Sequence, residues 1–205
     1  MNYIILNIFI FIFLTSCAAF QTKRVSSNLN KEIQNVCLDS YGAGRIIVNK
    51  HKYVFRFDTA LSMKDHKWMM GLNFPIYGEE VFEFDWDSDG KLNYTATFEK
   101  RILQDKKGVD PEKLEIFLKK WSEFINEVIQ LQYTKDYQSS YAWKLSSKSL
   151  EATSKVDAMS SVKIIFQNKT NQGHFGRFDI ILQSNKEEEK FKLEMIVREC
   201  LEKTE

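Results

Sequence analysis

Asp85-Trp86-Asp87-Ser88-Asp89-Gly90 carries the carboxylate spacing that opens a calcium loop. A complete loop needs a bidentate Glu at its twelfth position, and that position is Ala96. The segment also lies between two alternating strand patterns, where Asp-Ser-Asp-Gly is ordinary hairpin chemistry, so a turn is expected. His51, His66 and His174 fall in separate hairpin regions, and none has a second ligand at the i, i+4 spacing of helical zinc sites. There is no Gly-x-Ser-x-Gly elbow for a nucleophile, and Gly42 and Gly44 precede a strand, not the helix of a phosphate-cradling loop. These residues point to no catalytic centre, no cofactor and no metal.

The cysteines are more informative. Met1-Asn2-Tyr3 precedes an apolar run from Ile4 to Leu14, followed by Thr15-Ser16-Cys17. The run is short for a transmembrane helix, which needs about 20 apolar residues, and suits the hydrophobic region of a secretory signal. Small residues before a cysteine resemble the lipobox of bacterial lipoproteins, which implies cleavage before Cys17 and acylation of Cys17. The n-region departs from that pattern in having no Lys or Arg. The expected organisation is a signal peptide over 1–16, a lipidated tether over 17–27 and one domain over 28–205. An exported chain folds where disulfides persist, so a Cys37–Cys200 bridge is expected, the alternative being two buried free thiols.

Charge excludes two partner classes. With 29 basic and 28 acidic residues spread along the chain, there is no basic stripe for nucleic acid and no polybasic clamp for anionic lipid. Attachment to a membrane would come from acyl chains on Cys17, since two chains anchor stably where one does not.

Asn28 can cap a short helix in which Leu29, Ile33, Val36 and Cys37 share a face. Strand patterns follow at 45–48, 52–58, 68–74, 80–86 and 92–98, with Tyr53, Phe55 and Phe57 on one side of the second and Phe82, Phe84 and Trp86 on one side of the fourth. Asp110-Pro111-Glu112 then marks a helix start: a capping Asp, Pro at the first helical position and an acid in the first turn. Leu114, Phe117, Leu118, Trp121, Phe124, Ile125 and Val128 recur at three- and four-residue steps, giving an apolar stripe opposite Lys113, Glu115, Lys119, Lys120, Glu123 and Glu127. Strand patterns return at 141–145, 162–166, 177–182 and 191–197, the last pair joined by the charged turn Asn185-Lys186-Glu187-Glu188-Glu189. The fold class is α+β, a strongly curved antiparallel sheet or incomplete β-barrel with helices covering its concave face.

Sixteen Phe, eight Tyr and four Trp supply bulky side chains to both the strands and the helix stripe. They either fill the core, or leave an apolar cavity between helix and sheet that takes an acyl chain. A lipobox, antiparallel strands, an inserted amphipathic helix and returning strands together resemble the LolA/LolB lipoprotein-carrier superfamily, nearer the membrane-anchored LolB-type receptor. The most specific stretch runs from Trp68 to Glu80, where Asn73-Phe74-Pro75-Ile76-Tyr77-Gly78-Glu79-Glu80 is similar to that family's strand–Pro–apolar–Gly–strand step. Here two residues, Ile76 and Tyr77, separate Gly78 from Pro75, where the family step is tighter.

The resemblance implies an envelope protein that binds the acyl chains of other lipoproteins and helps deliver them at the outer membrane. Its cavity would be bounded by Phe55, Phe57, Trp68, Phe82, Phe84, Trp86, Phe117, Trp121 and Phe124, with Leu61 and Met63 in a loop touching the membrane or a partner. The alternative is a structural or protein-interaction lipoprotein with a filled core. In both, the chain is expected to be a monomer, lipid-anchored and facing the periplasm. Ala18 and Ala19 lack the Asp that retains lipoproteins at the inner membrane in enteric bacteria, which by analogy implies outer-membrane placement.

Overall fold

The computed structural model describes residues 27–48, 51–75, 78–86, 91–98, 100, 102, 110–134, 137–156, 160–184 and 191–201. Residues 1–26, which hold the expected signal peptide, Cys17 and most of the expected tether, residues 76–77, the acidic segment 87–90 expected as a turn and the charged segment 185–190 expected as a turn lie outside the described residues.

Helix α1 spans Ser27–Ile33. Five strands follow: β1 (Ser40–Val48), β2 (His51–Ser62), β3 (Lys67–Phe74), β4 (Gly78–Trp86) and β5 (Leu92–Ala96). Helix α2 spans Pro111–Tyr133, and then come β6 (Ala142–Leu145), β7 (Ser149–Lys155), β8 (Ser160–Lys169), β9 (Phe175–Ser184) and β10 (Phe191–Cys200). All ten strands form one antiparallel sheet in the order β5-β4-β3-β2-β1-β10-β9-β8-β7-β6. Each half is therefore a run of hairpins, and pairing of β1 with β10 splices the two halves at the middle. The sheet does not close, because β5 and β6 are its two edges.

Local chemistry explains the elements. Asp110 caps α2, its carboxylate accepting the Glu112 backbone N–H at 3.0 Å, and Pro111 starts the helix where its missing N–H is not needed. β2 alternates buried Tyr53, Phe55, Phe57 and Thr59 with exposed Val54, Arg56, Asp58 and Ala60, the period of a strand with one wet face. β3 does the same with Trp68, Met70, Leu72 and Phe74, and β4 with Phe82, Phe84 and Trp86. β3 turns into β4 through Pro75, and Phe74 pairs with Gly78, whose φ of 88° suits glycine alone among common residues.

Three elements depart from expectation. β1 begins at Ser40, five residues before the apolar run that marks it in the sequence, because glycine is required there. A Cβ on Gly42 would stand 2.1 Å from the Ile196 carbonyl oxygen and 2.8 Å from the Phe57 ring. Gly42 and Gly44 pair directly with Phe57 and Phe55, whose rings lie over the space left bare. Gly42→Ala is therefore expected to cost about 3 kcal/mol by forcing backbone and ring apart, measurable as a shift in the urea midpoint. β5 ends at Ala96, and Phe98 has helical backbone. β7 was not anticipated at all, since Ser149–Lys155 offers only Leu150 and Ala152 to the core.

The expected bridge is present. Cys37 and Cys200 form a disulfide with their Cα atoms 5.8 Å apart, tying the segment before β1 to the end of β10.

Candidate functional site

All nine side chains expected to bound a cavity are buried, with exposures between 0 and 7%. They meet one another ring to ring. Trp121 of α2 stacks on Phe82 of β4 with centroids 4.3 Å apart, and Phe117 approaches Phe191 of β10 at 6.0 Å. Phe124 meets Phe166 of β8 at 5.7 Å, Tyr141 at 5.5 Å and Trp143 of β6 at 6.0 Å. On the sheet, Trp68 stacks on Phe84 at 5.5 Å, Phe84 meets Trp86 at 6.0 Å, and Phe55 meets Phe57 at 6.4 Å. Phe55 and Phe57 join the same apolar cluster mainly through β3, where Phe74 lies 5.5 Å from Phe55. Sequence reasoning missed Phe166 and Phe191, although the alternations Val162-Ile164-Phe166 and Phe191-Leu193-Met195 carried the signal.

One polar atom in this interface is unsatisfied. The indole N–H of Trp121 is buried without a hydrogen-bond partner among the described residues. The other indoles differ: Trp68 donates to the Leu38 carbonyl at 3.1 Å and Trp143 to the Ser139 hydroxyl at 2.7 Å. An unmade buried hydrogen bond costs about 1–3 kcal/mol, so this one marks either packing strain or a place where an acceptor enters.

Glu127, expected on the solvated face of the helix, is instead buried. Its carboxylate collects the chain that leaves α2. The Ser139 hydroxyl donates to Oε1, as does the Ser140 backbone N–H at 3.1 Å. Oε2 accepts the Ser140 hydroxyl at 2.9 Å and the Tyr137 hydroxyl at 3.1 Å. Every one of these donors is neutral, and among the described residues the carboxylate has no ion-pair partner. Burial, reinforced by the Glu127 charge, pushes the Tyr137 phenol up; burial does the same to Tyr141, with Glu123 and Glu127 adding to it. Both phenols stay protonated and keep donating.

The far end of the sheet gathers the chain's start. Asp39 accepts the Leu61 backbone N–H at 2.5 Å, so the residues after α1 hold the rim of the β2–β3 hairpin. Leu61 is therefore partly buried against the core, whereas Met63 in the turn is exposed. His66 in the same turn stacks on Trp86 with centroids 5.7 Å apart. Beside the disulfide lies a hollow of about 340 Å3 lined by Gln34, Leu38, Tyr133, His174 and Leu201 among others.

The wet face of the sheet carries a charge cluster where β1, β9 and β10 adjoin. Glu194 and Asp179 stand opposite each other on neighbouring strands and are largely buried, a repulsive pair unless bases intervene. Three do. Arg45 contacts Glu194, Lys192 reaches Glu194 at 2.6 Å and Asp179 at 3.2 Å, and Arg177 grips Asp179 through two 3.1 Å hydrogen bonds. Burial alone would raise the Glu194 pKa, but hydrogen bonds from Arg45 and Lys192, with their charges, outweigh it and hold it at about 2. Against an ordinary value of 4.5, Glu194 contributes stability that is complete above that value and lost as pH falls from it through 2. Glu194→Gln is expected to flatten the acid limb of the urea midpoint between about pH 5 and pH 2, and to cost on the order of 1–2 kcal/mol at neutral pH.

No protein-family description matches this chain, and no curated protein is significantly similar to it in sequence.

Proposed function

We propose that the chain is a lipid-anchored protein of a bacterial envelope whose helix–sheet core is filled and whose work is done on the surface around its anchored end. The observation that carries this reading is the ring-to-ring closure between α2 and the sheet, above all Trp121 on Phe82 at 4.3 Å. Opening that interface would expose Phe117, Trp121 and Phe124, at about 2–3 kcal/mol each. An acyl chain drawn from a bilayer is already in hydrocarbon, so its entry returns little apolar burial. Pairing the Trp121 N–H recovers only about 1–3 kcal/mol. The closed arrangement wins by several kcal/mol.

The anchored end is the disulfide corner. A tether from Cys17 to Ser27 reaches at most ~35 Å when fully extended, which keeps the domain within that reach of the bilayer. There the exposed Met63 can meet lipid or the partner protein. Photo-cross-linking from position 63 in intact envelopes is expected to recover a protein adduct, and recovery of lipid alone would sink this reading.

A second reading keeps the likeness to the LolA/LolB superfamily at the level of activity. β4 and β8 stand second and eighth in the strand order, yet Phe82 and Phe166 both meet α2 side chains three residues apart. On a flat sheet those strands would be roughly 30 Å apart, which supports a sheet curled around the helix in the manner of an incomplete barrel. With the unpaired Trp121 N–H at its centre, such a half-barrel would accept acyl chains by displacing α2. A fluorescent fatty-acid displacement assay on a soluble form lacking Cys17 separates the readings: saturable displacement favours carriage, and none favours the filled core.

A further inference from the structure

The wet face of the sheet carries more apolar surface than a water-covered strand face requires. Ile196 of β10 and Val54 of β2 are 55% and 57% exposed, Tyr41 of β1 is 42% exposed and Met69 of β3 39%. Scattered singly, such residues need no explanation, whereas contiguous ones mark an interaction surface. The register makes them contiguous. Ala43 stands opposite Ile196, and Tyr41 precedes Ala43 by two residues on the same face. Tyr41 stands opposite Asp58, whose next neighbour on that face, Ala60, is opposite Met69. Ile196, Ala43, Tyr41, Ala60 and Met69 therefore form an oblique stripe across four strands, roughly 20 Å long by strand spacing and rise.

The charges beside the stripe have a sign. Arg56 stands opposite Ala43 on one side, and Arg198 lies at the register shift next to Tyr41 on the other. Both arginines are exposed, and neither has an acid partner among the described residues. The acids of the same face are mostly engaged. Glu194 and Asp179 are held by Arg45, Lys192 and Arg177, Glu199 accepts the Tyr41 hydroxyl, and Glu83 beside Met69 pairs with Lys67. Asp58 is left unengaged, so two unpaired cations flank the stripe against one anion. Backbone pairing limits how a partner can approach. β10, β1, β2 and β3 are each paired on both sides and offer no edge to an added strand. Side chains alone are presented, which suits the apolar stripe of a helix, and about 13 helical residues cover that length.

We infer that this stripe docks an amphipathic helix of a partner protein, apolar toward Ile196, Tyr41 and Met69 and carrying carboxylates beside Arg56 and Arg198. That a partner exists rests on the surface-directed reading given above; the recognition chemistry stands on this face alone. A second copy of the chain matches poorly, because it brings the same unpaired arginines with Asp58 as their one unengaged counterpart.

The test uses the full-length protein in phosphatidylcholine nanodiscs, with Ile, Val and Met methyl groups labelled for NMR. The probe is a synthetic helical peptide of about 14 residues, leucine on one face and glutamate on the other. It is expected to shift the Ile196, Val54 and Met69 methyls saturably, and the same peptide with lysine for glutamate should not. Arg56→Glu combined with Arg198→Glu should weaken the glutamate peptide about tenfold or more and make the lysine peptide bind. Both positions are exposed, and a thermal melt checks that the variant folds. The absence of saturable shifts, equal binding of the two peptides, or no exchange of preference in the double variant overturns the inference. Broadening of the Ile196 and Met69 methyls by spin-labelled lipid also overturns it, assigning the stripe to the bilayer. A peptide-free dimer dispersed by Ile196→Asp does the same, assigning it to a second copy. Failure here beside a protein adduct from position 63 leaves the surface-directed reading standing, and lipid-only adducts beside intact peptide binding sink that reading instead.

Discussion

Glu127→Ala is expected to lower the unfolding free energy by about 3–5 kcal/mol, measured by urea titration at neutral pH. The size follows from what the carboxylate leaves behind. Ser139, Ser140 and Tyr137 all aim donors at it, and alanine offers them nothing where Glu127 and Ser139 are themselves buried. The Trp143 indole bonds the same Ser139 hydroxyl, so the loss propagates into the edge strand β6. Glu127→Gln keeps the volume but turns one oxygen into a donor facing donors, and about 2 kcal/mol should go. Hydrogen exchange should speed first in β6 and β7, the strands that the Glu127-bound segment leads into, before the β1–β10 centre is affected. A loss below about 1 kcal/mol for the alanine variant would mean that the cluster is solvated in solution, and that α2 is not stapled to the second half of the sheet.

Glu127 also shows where sequence reading stopped. On a helical wheel it groups with Lys120 and Glu123, and solvation is the ordinary outcome for such a residue. Yet it lies three residues after Phe124 and four before Leu131, both buried, so it falls on the apolar stripe. The complementary signal was the hydroxyl-rich run Tyr137-Gln138-Ser139-Ser140, which has meaning only once the chain returns along the helix. Tyr53-Phe55-Phe57 and Phe82-Phe84-Trp86 were legible because each strand faces water on one side and apolar neighbours on the other. Ser149–Lys155 was not, because a strand near the sheet's edge needs only two apolar side chains when its neighbours bury the rest. The glycines of β1 read as a break in strand pattern, though their missing side chains are what admit the Phe55 and Phe57 rings. Cysteine pairing followed from compartment and count. Whether the aromatic interior is filled or hollow depends on how tightly the sheet curls, and that is a property of ten strands together.

Trp121→Ala should cost about 4 kcal/mol, because a fully buried indole stacked on Phe82 and touching Phe117 leaves a cavity that the helix cannot collapse into without losing Phe124 from Phe166. Trp121→Phe is the sharper experiment. It keeps a ring against Phe82 and removes the unpaired N–H. The small cavity it opens is offset by relief of about 1–3 kcal/mol of unmet hydrogen bonding. Its net effect on the urea midpoint should stay within about 1 kcal/mol. In the filled core the indole N–H is tolerated strain, and the phenylalanine variant should match the parent in every binding assay. In a carrier whose lid lifts, that N–H meets an ester or carboxyl oxygen of the cargo, and the same variant should hold its stability while losing affinity for an acyl probe. Stability and affinity read together on this one substitution therefore decide what the buried donor is for. A variant destabilised by 3 kcal/mol or more would contradict both accounts, since it would require a partner for the indole that the closed interface does not provide.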